Sequence, residues 1–270
     1  LATLNAISPK GLKHLDENFK MTETIDKADG ILVRSADMHN MEFSKNLKAI
    51  ARAGAGTNNI PLDKCTDEGI VVFNTPGANA NAVKELVIAA LLLASRKIVE
   101  ASEWTKTLKG QPDMDKLVES GKKKFAGPEI TGKKLGVLGL GAIGVLVANA
   151  ALALGMEVIG YDPYLSVQSA WHISGQVELA KSIEEVVSQS DYVTIHTPLN
   201  DSTKGMVNAE LLKKFKKGAR LINIARGGLV DPVAVAEAFD NGILAKYVAD
   251  FAAEELLGKE NVITLPHLGA

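Results

Sequence analysis

Cysteine is nearly absent. Among 270 residues only Cys65 is one, so the chain can form no internal disulfide, and a reducing, cytoplasmic setting is expected. Aromatic residues make up only 5%, which leaves few platforms on which single-stranded nucleic acid could stack. An excess of either charge is lacking too. Thirty Lys and Arg stand against 32 Asp and Glu, and a net −2 offers no positive field for nucleic acid or an anionic membrane. Long hydrophobic runs are missing. The longest, Leu86 to Ala94, is bracketed by Lys84-Glu85 and Arg96-Lys97, and it is well short of the roughly 20 residues that cross a bilayer. No signal peptide is apparent. The chain opens on Leu1 without an initiating Met, so a few leading residues are expected ahead of it. These absences argue against nucleic acid and membrane as partners.

What is present is ordinary for a globular protein: 46% hydrophobic and 23% charged residues, at a length comfortable for two domains. Strand-like and helix-like segments alternate, which predicts an α/β protein of two doubly wound parallel-sheet domains. In the first third, Gly30 to Val33, Leu47 to Ala51 and Gly69 to Phe73 read as strands. Pro9 to Asn18, Met41 to Lys45 and Ala80 to Ser95 read as helices, the last opened by Asn79 or Asn81 as a cap. Glu100 to Thr131 is polar and lysine-rich and reads as a connecting helix plus loop. From Lys134 onward the alternation resumes, with Asp231 capping a helix that begins at Pro232. The expected division is 1–98 for a substrate-binding domain and 99–268 for a Rossmann-type dinucleotide-binding domain, with 269–270 starting a return to the first.

The most specific local signal is Gly139-Leu140-Gly141-Ala142-Ile143-Gly144. The apolar run Lys134 to Leu138 precedes it as a strand, and Val145 to Leu154 follows as a helix. Met156 to Tyr161 reads as a second strand ending at Asp162. A glycine-rich turn alone means little, but strand, loop, helix, strand and acid together form a dinucleotide-binding unit. Gly139 allows the tight turn, Gly141 lets a pyrophosphate approach the backbone, and Gly144 lets helix and strand pack closely. The helix N-terminus directs N–H groups at phosphate. Asp162 accepts from ribose hydroxyls and repels a 2′-phosphate, and Pro163-Tyr164 offers no compensating Arg, so NAD is expected over NADP.

In open α/β sheets ligands bind at the carboxyl ends of the strands. Those ends carry His196-Thr197-Pro198-Leu199, Asn223-Ile224-Ala225-Arg226-Gly227-Gly228, Asp250 with Glu254-Glu255, and Pro266-His267-Leu268-Gly269-Ala270. An arginine, a carboxylate and a histidine thus collect on one rim beside the dinucleotide loop, a convergence that favours chemistry over a structural role.

These motifs together resemble the D-2-hydroxyacid dehydrogenases. Arg52 to Asn59 and Phe73 to Gly77 resemble more narrowly the branch of that family acting on D-3-phosphoglycerate. The resemblance implies NAD-dependent, reversible hydride transfer at C2 of a 2-hydroxy acid, at the first step of serine biosynthesis, in a homodimer formed through the second domain with Trp104 near the contact. It implies that Arg226 binds the substrate carboxylate, that His267 exchanges the hydroxyl proton, and that Glu255 orients and charges the histidine. The proline usual after that glutamate is absent, and a shifted alignment selects Glu254 instead. It implies cofactor contacts from Thr75, Gly139, Gly141, Ala142, Ile143, Gly144, Asp162, Thr197, Ile224, Ala225, Arg226 and Asp250. Arg34, Arg52 and Gly54 are expected to receive the substrate's acidic ends. A hinge is expected near Arg96 to Ala101 and near His267. Family members continue past this point into a helix that returns to the first domain, and such a tail is expected beyond Ala270. Glyoxylate, hydroxypyruvate or lactate as substrate, and a non-catalytic NAD-sensing role, are the alternatives.

Overall fold

The structure, a computed structural model, describes residues 1–269. The chain divides into two compact units, Leu1–Asn79 and the remainder from Ala80.

The first unit is built on four parallel strands in the order β1-β2-β3-β4: β1 (Ala2–Thr3), β2 (Gly30–Val33), β3 (Ala49–Arg52) and β4 (Val71–Phe73). Ile31, Val33 and Ile50 bury their side chains with Met38, Leu47, Ile60, Ile70 and Cys65. Two expected helices differ. Residues 41–45 hold no helix. Met41 and Phe43 both pack against this core, a two-residue spacing that suits extended chain rather than a helical turn. The helix expected over Pro9 to Asn18 covers only Pro9–Leu12 and buries no residue, so nothing supports a longer one.

The second unit holds seven parallel strands: β5 (Lys134–Leu138), β6 (Glu157–Tyr161), β7 (Glu178–Leu179), β8 (Tyr192–Ile195), β9 (Ala219–Asn223), β10 (Leu244–Ala249) and β11 (Val262–Thr264). Their spatial order is β11-β10-β9-β8-β5-β6-β7. Chain order therefore reverses between β5 and β8, the switch point where doubly wound sheets bind ligands. Both faces of the sheet are covered. Leu138, Ile159, Val193 and Leu221 pack into one layer, while Leu135, Val137, Tyr192 and Ile222 pack into the other. Neighbours such as Leu221 and Ile222 point to opposite faces, as a strand requires.

The helix Ala80–Ser95 belongs to this second unit. Val83, Val87, Ala90, Leu91 and Ala94 pack with Leu135, Val137 and Val145. Its end is tied down by a 2.8 Å bond between Ser95 Oγ and the Tyr192 hydroxyl, and by Arg220 Nε donating to Ala94 O at 2.9 Å. The compact units thus part at Asn79, and the segment 96–101 lies inside the second. Asn81 lies within the helix, and its side-chain amide donates to Glu85 Oε1 rather than capping. Asp231 caps the helix Pro232–Asp240 as expected, accepting from Val233 N and Ala234 N. The connecting segment folds as helices Ile98–Lys106 and Met114–Gly121.

Candidate active site

The glycine loop leaves β5 beside β8. Gly139 has φ +96°, and a Cβ on it would stand 2.9 Å from the His196 carbonyl carbon. Gly144 sits over the Gly139 carbonyl oxygen so closely that a Cβ there would lie far inside contact distance. Gly141 differs from both: a Cβ on it would meet nothing within 4 Å. It is the N-cap of the helix Ala142–Ala153, whose first N–H groups have no side-chain cap. A glycine that needs no room inside the protein, at a bare helix N-terminus, fits a phosphate approaching from outside. Asp162 stands one residue past β6 and accepts from Leu140 N at 2.8 Å through Oδ2 and from Tyr164 N at 2.8 Å through Oδ1. Each oxygen retains a lone pair, so ribose hydroxyls remain acceptable partners.

Across the switch point His196 donates its N–H to Leu138 O at 2.7 Å, and its Nε2 lies 3.0 Å from Thr194 Oγ1. Its Nδ1 is shut off from solvent and has no hydrogen-bond partner among the described residues. Burial pushes the ring down to about 3, so it stays neutral. Thr197 follows, with its hydroxyl 3.4 Å from Met206 Sδ.

The ends of β9, β10 and β11 are in register, with Ala249 paired to both Asn223 and Thr264. Arg226 lies three residues beyond β9, Asp250 one beyond β10 and His267 three beyond β11. Phe251 links the loops. Its Cβ would be 3.2 Å from a Cβ on Gly227, and its ring lies 4.8 Å from the His267 ring at 60°. His267 is exposed and adopts φ +56°, one of two non-glycine residues in that region among those described. Arg226 donates through one terminal nitrogen to Ala225 O at 2.7 Å. Glu254 and Glu255 are exposed, and neither makes a hydrogen bond or ion pair with His267 among the described residues. The carboxylate that is fully buried on this rim is Asp250. Expected beside the cofactor, it directs both oxygens at main-chain N–H groups, those of Leu268 at 2.7 Å and Gly269 at 2.8 Å. Ile224 is buried and Ala225 half-buried behind Arg226.

In the first unit Arg34, Arg52 and Thr75 lie at or just past the ends of β2, β3 and β4. Arg52 donates through Nε to Asn59 Oδ1 at 3.0 Å, and Asn59 in turn donates to Ala36 O at 2.8 Å. The Arg52 guanidinium occupies the space a Cβ on Gly54 would need. Thr75 N donates to Gly54 O at 3.0 Å. Arg34 N donates to Asn5 Oδ1 at 2.9 Å. Of the residues expected in a site, Arg52, Gly54 and Thr75 are therefore neighbours. Sequence reasoning missed Phe251, which only follows Asp250 in the primary order, and it named His196 and Asn223 as parts of the strand-end motifs without giving either a role.

The family model described as "D-isomer specific 2-hydroxyacid dehydrogenase, NAD binding domain" matches residues 88–269. The chain is similar to the D-3-phosphoglycerate dehydrogenase of Methanocaldococcus jannaschii, 38% identical over 260 residues that cover 93% of this chain and 47% of that protein. It spans about half the length of the curated relatives it matches. Among solved structures it is similar to an NADPH-dependent glyoxylate/hydroxypyruvate reductase from Sinorhizobium meliloti in complex with citrate. That likeness has a TM-score of 0.84 and 25% identity, and covers 99% of this chain and 87% of the other. It is also similar to a D-lactate dehydrogenase from Aquifex aeolicus complexed with NAD and lactic acid, with a TM-score of 0.73 and 26% identity, covering 96% and 84%. The chain belongs to the D-isomer-specific 2-hydroxyacid dehydrogenases, and its second unit is their NAD-binding domain.

Proposed function

We propose that the protein catalyses the reversible, NAD-dependent oxidation of D-3-phosphoglycerate to 3-phosphohydroxypyruvate. The observation that carries this reading is the shared register of β9, β10 and β11, whose ends carry Arg226, Asp250 and the His267 loop on one sheet edge. Similarity to the M. jannaschii D-3-phosphoglycerate dehydrogenase supports the substrate.

When bound, NAD supplies the two-electron hydride acceptor that no side chain provides. The proposed holders are Gly139, Gly141, Ala142, Ile143 and Gly144 at the pyrophosphate, Asp162 at the ribose, and Thr75, Thr197, Ile224 and Ala225 along the rest. A carboxylate at Asp162 disfavours a 2′-phosphate, and Pro163-Tyr164 adds no cation. Arg226 grips the substrate carboxylate with two parallel hydrogen bonds, which fixes C2. His267 removes the C2 hydroxyl proton in one direction and returns it in the other. The Phe251 ring lies beside the imidazole, 4.8 Å away and tilted 60° to it. Glu255, or Glu254, is the proposed carboxylate that holds the imidazolium. Arg34, Arg52 and the Gly54 backbone are the proposed receivers of the phosphate, with residues 1–79 as the substrate-binding domain.

A homodimer through the second unit is proposed. Its support is apolar surface on neighbouring elements: Leu92, Ile98, Val99, Leu146 and Leu154 are each at least a third exposed. Trp104 packs inside its own chain, 5.2 Å from Phe125 and against Gly121, so these aliphatic residues are the better contact. A cytoplasmic setting is proposed with it.

A second reading has one observation in its favour. The S. meliloti glyoxylate/hydroxypyruvate reductase matches the fold over nearly the whole chain. NADH oxidation by the full-length protein separates the two, with 3-phosphohydroxypyruvate set against hydroxypyruvate, glyoxylate and pyruvate. Preference for the phosphorylated acid is expected. Faster turnover of an unphosphorylated acid transfers the assignment to the second reading. NADH binding without reduction of any 2-oxo acid points instead to a dinucleotide sensor.

A further inference from the structure

Two polar side chains are buried where the sheet meets the proposed site. Asn223, the last residue of β9, is 0% exposed, and Asp250, the first after β10, is 1% exposed. Burying such groups is costly unless every bond is satisfied, and here each is satisfied by a loop. The Asn223 amide holds both main-chain polar groups of one residue. Its Nδ2 donates to Arg226 O at 2.8 Å, and its Oδ1 accepts from Arg226 N at 3.3 Å and Ala225 N at 3.2 Å. Asp250 accepts from the two residues after His267, Leu268 N at 2.7 Å and Gly269 N at 2.8 Å. The two clamps are joined, because Asp250 N donates to Asn223 O at 3.1 Å.

We propose that Asn223 and Asp250 are paired positioning residues. Each holds, through main-chain hydrogen bonds, the loop that presents Arg226 or His267. This rests on the proposed function for the roles of Arg226 and His267, but the clamp itself does not. The geometry explains why both residues must be polar at positions where a strand would otherwise end in an aliphatic side chain. It also explains how His267 is kept at φ +56°, a conformation that an unrestrained loop leaves readily. The clamp is tight on the far side as well. A Cβ on Gly269 would lie 3.2 Å from Asp250 Oδ2 and 3.2 Å from Ile224 Cγ2.

The test uses Asn223→Asp and Asp250→Asn in the full-length protein. The first replaces the donor facing Arg226 O by an oxygen. The second sets an amide N–H₂ against a main-chain N–H. Small misplacements of a positioned group cost on the order of 100-fold in rate, and a fall of that order in kcat is expected for each, with NADH affinity at the wild-type level in Asn223→Asp. In the 270-residue chain the amide proton shifts of Arg226, and of Leu268 and Gly269, should move in the corresponding variant. Gly269→Ala leaves both clamp side chains in place and should lower kcat alone in the same way, which covers the case of a variant that does not fold. Wild-type kcat in Gly269→Ala or in the folded clamp variants overturns the proposal. So does a loss of NADH affinity in Asn223→Asp as large as its loss of kcat, since that makes Asn223 a cofactor ligand. If the wild-type protein reduces no 2-oxo acid, the reading of function fails, while the amide shifts still decide for or against the clamp.

Discussion

Leu140 N–H donates to Asp162 Oδ2 at 2.8 Å, so the acid at the end of β6 is bonded to the glycine loop at the end of β5. Leu140 itself is 0% exposed. The residue proposed to choose between cofactors therefore also satisfies a donor of the loop that cradles them.

Asp162→Ala removes both functions. Loss of a hydrogen bond to a charged acceptor costs on the order of 2 kcal/mol, and NADH affinity is expected to fall by roughly tenfold or more. The ratio of kcat/KM for NAD over NADP should shrink as the repulsion of a 2′-phosphate disappears. Steady-state kinetics with both cofactors checks it, and an unchanged ratio removes Asp162 from cofactor selection.

For His267 the informative substitution is Asn, because asparagine tolerates the left-handed conformation that alanine does not. A positioned acid–base group contributes roughly 100- to 10,000-fold. His267→Asn should lose about that much kcat and retain NADH binding by fluorescence titration. Turnover near wild type assigns the proton transfer elsewhere.

His196 makes acid stability measurable. Its ring is pushed from 6.5 down to about 3 by burial. A depressed group of this kind stabilises the fold fully above its unfolded value and loses that contribution as pH falls toward the folded one. Urea unfolding midpoints should therefore decline from about pH 6.5 toward 3, and His196→Gln should flatten that decline. Equal slopes in the two proteins show that the ring is not the acid-sensitive element.

Lys246 on β10 is 8% exposed and donates to Glu100 Oε1 at 2.7 Å and to Glu260 O at 3.2 Å. Burial pushes Glu100 up, but the Lys246 hydrogen bond and charge bring it to a net value below 4.5. The Glu100 side chain is 30% exposed, so loss of its buried partner leaves it only partly uncompensated, and Lys246→Met should cost about 2 kcal/mol. Lys246→Met with Glu100→Leu should recover much of the loss. A double variant as unstable as the single one shows that the pair is not coupled.

Much of the fold was legible in the primary order. Lys134–Leu138, Tyr192–Ile195 and Gly30–Val33 are strands where short apolar runs end in glycine or polar residues. Asp231 caps the helix that follows, as its place before Pro232 implies. Gly144 packs onto the Gly139 carbonyl, the part its spacing implies. Met41 and Phe43 misled because two apolar residues in a short polar stretch fit either period, and packing on the core of the first unit chose the extended one.

Local chemistry, then, was determined by the sequence alone: where strands stop, which glycines turn, and which side chains stand at strand ends. These follow from rules that act over a few residues. Tertiary structure alone decided that Ala80–Ser95 packs with the second unit, and that Asn223 and Asp250 face inward to hold other loops. It also decided that Phe251 meets His267. The reason is physical: each of these depends on which strands lie side by side and in what register, and residues as far apart as Asn223, Asp250 and Gly269 meet only once parallel pairing has aligned them.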